Sequence, residues 1–194
     1  MLSTVLRHAG GVRVDHILGL FRLYWIPRMA SPLTGTYVSY DFEAMVGILA
    51  LEAQRAGAVV IGEDLGTVEP WVQDVLAQKA VLGTSIVWFE HDDDDYSPLP
   101  QEKYRPLALS SVNTHDLPPT LAYLRGDHIS LRAHLGVLTR SVEEEQRDDI
   151  EWQARVLGAV ADRGLLPQRD YLVDPAERAS RGAEEDISVA LHRY

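Results

Sequence analysis

Ala58-Val59-Val60-Ile61-Gly62-Glu63-Asp64-Leu65-Gly66 is the stretch on which the fold turns. An uninterrupted apolar run of this length marks a strand in a parallel sheet covered on both faces. It breaks at once into glycine and two carboxylates, the composition of a loop at a strand end. On the N-terminal side, Phe42, Met45, Val46, Leu49 and Ala53 recur at helical spacing. Asp41 is placed to cap that helix over Phe42–Ala56, and Gly57 to stop it. On the C-terminal side, Thr67 reads as an N-cap, with Pro70 in the first turn of a helix reaching about Gln78. Similar strand-like segments are Gly11–His16, Ser85–Phe89 and Leu107–Val112. A Gly-, Pro- and aromatic-rich stretch covers Gly19–Tyr40, and a polar loop carrying Asp92–Asp95 covers Glu90–Pro106. After Asn113-Thr114-His115-Asp116 the pattern turns helical over 119–124, 129–137 and 142–162, with a last polar helix from about Pro175. Glu143–Glu145 read as a charged first turn facing the positive end of the helix dipole.

Apolar strands alternating with helices indicate an α/β fold with a parallel sheet. Two layouts remain, an open doubly wound sheet and a (β/α)8 barrel. An open sheet would advertise a Gly-rich phosphate loop after its first strand, and none is present. In a barrel, functional residues gather where strands end. Asp15, Glu63 and Asp116 end three different strands, so the barrel is the better reading. Eight strands need roughly 250 residues, whereas this chain has 194 and shows four strand-like segments. The expectation is therefore an incomplete barrel: residues 1–194 as a single partial catalytic domain, the C-terminal portion of a (β/α)8 barrel with a helical C-terminal end. Its N-terminal strands would be absent from this chain, leaving open sheet edges and an uncovered face prone to self-association.

Composition narrows the function. With 18 Lys+Arg against 29 Asp+Glu, the net charge of −11 disfavours a phosphate-backbone binder. The chain has no cysteine, which excludes disulfides, thiolate nucleophiles and Cys-based zinc sites. No apolar run reaches the roughly 18–20 residues of a membrane span, and the first residues lack the pattern of a signal peptide. We read a cytoplasmic protein that binds neither nucleic acid nor membrane. The histidines lack metal-ligand spacing and Asp92–Asp95 lack the spaced oxygens of a calcium loop, so no metal is expected.

Three carboxylates at strand ends suit retaining glycosidic chemistry, in which one attacks the anomeric carbon and another protonates the leaving oxygen. They also suit helix caps and metal ligation, so spacing leaves the choice open. The motifs go further. Arg13-Val14-Asp15-His16 resembles the nucleophile motif of α-glucan-acting barrels. Gly62-Glu63-Asp64-Leu65-Gly66 resembles the acid/base segment of the 4-α-glucanotransferases (amylomaltases, glycoside hydrolase family 77), and Asn113-Thr114-His115-Asp116 their third acidic motif. Gly19–Pro27, Gly35–Val38 and Gly83–Glu90 are similar as well, in the same order.

The resemblance implies transfer of α-1,4-glucan segments between maltooligosaccharides without a cofactor. Asp15 would be nucleophile, Glu63 acid/base and Asp116 transition-state stabiliser. Arg13, on the same strand face as Asp15, would hydrogen-bond it and favour its charged form. His115 would bind sugar hydroxyls, and Trp25 and Tyr37 would stack on glucose rings. His16 receives no firm role. Asp64, directed away from Glu63, reads as structural, pairing with a backbone amide or an arginine. Trp88 and Phe89 read as core. The partners implied are maltooligosaccharide or starch- and glycogen-derived glucan, together with the missing N-terminal part of the barrel or a second copy meeting the open edges. A related retaining hydrolase and an inactive fragment that at most binds glucan remain the competing readings.

Overall fold

The computed structural model describes residues 1–175, 177 and 184–194. The chain divides into two compact units: Met1–Ser85 with Arg105–Leu109, and Ile86–Tyr104 with Ser110–Tyr194.

The first unit opens with a short helix, α1 (Leu2–Leu6), and then β1 (Gly11–Val14). An antiparallel ribbon follows, β2 (Arg22–Trp25) with β3 (Thr36–Ser39), in register Tyr24↔Tyr37 and Trp25↔Thr36. Next come α2 (Phe42–Ala56), β4 (Val59–Gly62) and α3 (Pro70–Gln78). β1 and β4 pair in parallel from Gly11↔Val59 to Val14↔Gly62, and Ile61 of β4 bridges in parallel to Leu82. Leu82 leads into β5 (Gly83–Ile86), which pairs with β6 (Ala108–Ser111). The predicted bounds of α2 hold: Asp41 accepts from the Ala44 amide, and Gly57 turns left-handed at φ 63° to end the helix. α2 and α3 cover one sheet face, burying Val46, Leu49, Val72 and Leu76 with Val60, and Val12 and Val14 pack on the same cluster.

Three expectations change here. The Ala58–Ile61 run is covered on one face only within this chain: Val60 and Gly62 are buried, Val59 is exposed. α3 starts after Glu69 rather than Thr67, because Pro70 takes the first helical position, and the Glu69 carboxylate is engaged by Arg22 at 2.7 Å. β5 begins at Gly83, where the Gly83 amide donates to Leu107 O, and ends at Ile86; Val87–Phe89 form a 3-10 turn.

The second unit is helical: α4 (Thr120–Leu124), α5 (Asp127–His134), α6 (Val142–Asp162) and α7 (Glu184–Leu191). α6 has the expected bounds, and Ser141 with Glu144 forms a reciprocal capping box that satisfies two terminal amides. α5 starts two residues early, entered through left-handed Gly126 at φ 71°. The helix expected from about Pro175 falls partly on residue 176 and residues 178–183, which lie outside the described residues. Leu124, Ile129, Leu157 and Ile187 are fully buried. Trp88 is buried as expected and stacks on Tyr123 at 4.7 Å, whereas Phe89 is 47% exposed and is not core.

Candidate active site

The parallel β1–β4 register sets the first half of the site. Val14 pairs with Gly62, and the Glu63 amide donates to Val14 O at 2.9 Å, so Asp15 and Glu63 occupy the next rung. Neighbouring strands lie about 4.7–4.9 Å apart, close to the roughly 5–5.5 Å between the carboxyls of a retaining glycosidase. Glycine makes the junction possible. A Cβ on Gly62 would lie 2.7 Å from Ile17 Cδ1, and it is the fully buried Ile17 whose amide donates to Glu63 O at 3.0 Å.

His16 sits between the two carboxylates. It adopts a left-handed backbone at φ 47°, which aims its amide at Glu63 Oε2 at 2.9 Å. Its largely exposed imidazole has Nδ1 3.3 Å from Glu63 Oε2 and Nε2 3.7 Å from Asp15 Oδ2. One ring therefore reaches both acids. That span sets an upper bound on their separation, about 9.5 Å, the outer limit for paired carboxyls in glycosidic chemistry. Arg13 Nη1 donates to Asp15 Oδ1 as its strand position predicts, leaving Oδ2 on the His16 side. Glu63 is 6% exposed, and its other oxygen accepts the Leu65 amide at 2.8 Å.

Asp64 points the opposite way and is paired as expected. It accepts the Thr84 amide at 2.9 Å and a fork from Arg105 at 2.7 and 3.1 Å. Arg105 carries no local signal, because its partner lies 41 residues away.

The exposed aromatics belong to the β2–β3 ribbon. Trp25 is 56% exposed and donates from Nε1 to Tyr40 Oη at 2.9 Å. Tyr37 is 60% exposed, meets Tyr24 edge-on at 5.1 Å and carries the Arg22 guanidinium 4.5 Å above its ring. Gly35 leaves room for Tyr24, since a Cβ there would fall 2.5 Å from its ring. These rings are held as an open platform.

Asp116 and His115 belong to the second unit. The segment after β6 folds as side-chain-capped turns: Thr114 N–H donates to Asn113 Oδ1 at 2.8 Å, and Asp116 N–H to Thr114 Oγ1 at 3.2 Å. Both His115 and Asp116 are exposed, 3.4 Å apart. Each unit thus presents its own acidic group: Asp15, Glu63, Arg13 and His16 in the first, Asp116 and His115 in the second. Among the described residues, no three His, Asp or Glu side chains are grouped to hold a metal ion, and no helix is long and apolar enough to cross a membrane.

The 4-alpha-glucanotransferases of Mycobacterium tuberculosis and Mycobacterium bovis are 58% identical over the whole of this chain, which spans 26% of their length. That of Haemophilus influenzae is 30% identical over the same extent, again 26% of its length. The crystal structure of amylomaltase from Corynebacterium glutamicum superposes with a TM-score of 0.86 at 60% identity, covering 91% of this chain and 25% of that one. The chain therefore spans about a quarter of the length of the relatives it matches. The family model described as 4-alpha-glucanotransferase matches residues 1–181, and the chain belongs to that family, glycoside hydrolase 77.

Proposed function

We propose that the chain is the catalytic section of a 4-α-glucanotransferase that moves α-1,4-glucan segments between maltooligosaccharides with retention. The observation that carries this reading is the Asp15–Glu63 pair, opposite one another at the end of a parallel ladder and bridged by one imidazole. Asp15 Oδ2 attacks the anomeric carbon while Glu63 passes its proton to the departing glycosidic oxygen, and a covalent glucosyl ester forms. The acceptor hydroxyl then loses its proton to Glu63 and attacks the same carbon, releasing Asp15. Arg13 holds Oδ1 and fixes which oxygen attacks. Asp116 stabilises the cationic transition state, His115 binds sugar hydroxyls, and Trp25 and Tyr37 stack on glucose rings. We further propose a (β/α)8 barrel, whose remaining strands adjoin the open edge of β1 and cover the sheet face exposing Val59.

The test uses the chain alone and the chain joined to the preceding section of the Corynebacterium glutamicum amylomaltase, both given maltotriose. The joined form should yield glucose together with chains longer than maltotriose. Asp15→Asn should lower transfer about a thousandfold or more without changing the melting temperature. Near-wild-type transfer in that variant refutes the nucleophile assignment. Accumulation of glucose and maltose alone points to a hydrolase.

A further inference from the structure

Glu63 lies between two anchored residues. Thr84 Oγ1 donates to Gly62 O at 3.2 Å on one side of it. On the other side, the Asp64 carboxylate is almost wholly buried and takes three donors, the Thr84 amide and two nitrogens of Arg105. Arg105 Nη2 also donates to Thr84 O at 2.8 Å, so Asp64 directly and Arg105 beside it engage both backbone groups of one β5 residue. Space for it is provided by a missing side chain: a Cβ on Gly83 would lie 2.7 Å from Nη1 and Nη2. The peptide between Asp64 and Leu65 carries the amide that donates to Glu63 Oε1. The orientation of that peptide follows from how the Asp64 side chain is held.

We propose that Asp64 and Arg105 are positioning residues for Glu63, acting through the Asp64–Leu65 peptide to keep the Glu63 carboxylate turned toward Asp15. The catalytic meaning rests on the reading of Glu63 as acid/base, but the placement can be read without it. The Asp64 side chain is almost wholly buried, so it acts on Glu63 through the backbone. Its charge-assisted fork locks a loop residue next to the reacting group more tightly than a neutral turn would.

The placement is tested by amide hydrogen exchange of the isotope-labelled chain, comparing wild type with Asp64→Asn, Arg105→Gln and Gly83→Ala. The last displaces the guanidinium without removing a charge. In all three, exchange at the Leu65 amide should rise about tenfold or more, as expected for loss of one hydrogen bond to a charged group. Amides of the β4 ladder, such as Gly62 and Leu82, should keep their wild-type rates. An unchanged Leu65 amide, or an equal rise at every amide, overturns the proposal, the second because it reports only lost global stability. In the transfer-active joined form, Asp64→Asn should lower kcat on maltotriose at least tenfold with KM little changed. It should spare the initial burst of fluoride from α-maltosyl fluoride, whose leaving group needs no proton. Loss of the burst as well assigns the pair a role beyond Glu63 and overturns the proposal. A wild type without any transfer overturns the functional reading while the exchange data still decide the placement.

Discussion

At the scale of single residues, the two acids on neighbouring strands have different surroundings. Asp15 is half-exposed and bound by a guanidinium; Glu63 is buried and bound by two backbone amides. The asymmetry suits a pair in which one group attacks and the other trades a proton. A third residue shapes stability rather than chemistry. His128 stacks on Tyr123 at 5.0 Å, and burial, reinforced by Arg132, holds its pKa below the usual histidine value, against the pull of Asp127 and Glu145. Asp149, 3.7 Å from Nε2, does not reverse that direction. The fold therefore accommodates neutral His128, whereas the unfolded chain takes up a proton below about pH 6.5. Stability is present above that value and falls as the pH drops toward the lowered folded value. Chemical denaturation of wild type and His128→Phe between about pH 7.5 and pH 5.5 should show a steeper loss for wild type; equal slopes would refute the assignment.

At the scale of elements, the end of β4 is the sensitive point. Gly62→Ala would push a methyl into Ile17, which is fully buried and tied by its amide to Glu63 O. We expect a loss of about 1–3 kcal/mol, measured by denaturant unfolding. A neutral result would mean that the Asp15–His16 turn gives way more easily than its packing indicates. The element pattern also shows what a linear reading reaches. α2 and α6 are legible to the residue because caps, stops and apolar spacing are local signals. The Arg13–Asp15 contact and the pairing of Asp64 with an amide and an arginine are legible for the same reason, since alternation along a strand sets sides. The β2–β3 ribbon is not legible: glycines, prolines and exposed aromatics within Gly19–Tyr40 blur the alternation, and its register depends on pairing across a turn. Arg105 is equally hidden, because only the return of the chain to β6 brings it to Asp64.

At the scale of the whole molecule, open surface is the dominant fact. Val59, Leu107 and Leu109, all in the first unit, are between 44% and 49% exposed. Unpaired strand edges beside apolar surface favour association. Sedimentation of the isolated 21.7 kDa chain should show species heavier than the monomer as concentration rises, and Val59→Lys with Leu109→Lys should reduce them. A strictly monomeric wild-type chain would refute this. The β1–β4 register has a further bearing, on what sequence change can do to this site. A slip of one residue in either strand turns every side chain to the other face and separates the acids in a single step. The excursion between the strands, containing the ribbon and α2, can lengthen at little entropic cost. Insertions and deletions should accordingly be tolerated in the turn that joins β2 to β3 and excluded from β1, β4 and the His16–Ile17 turn, where they would part the two acids.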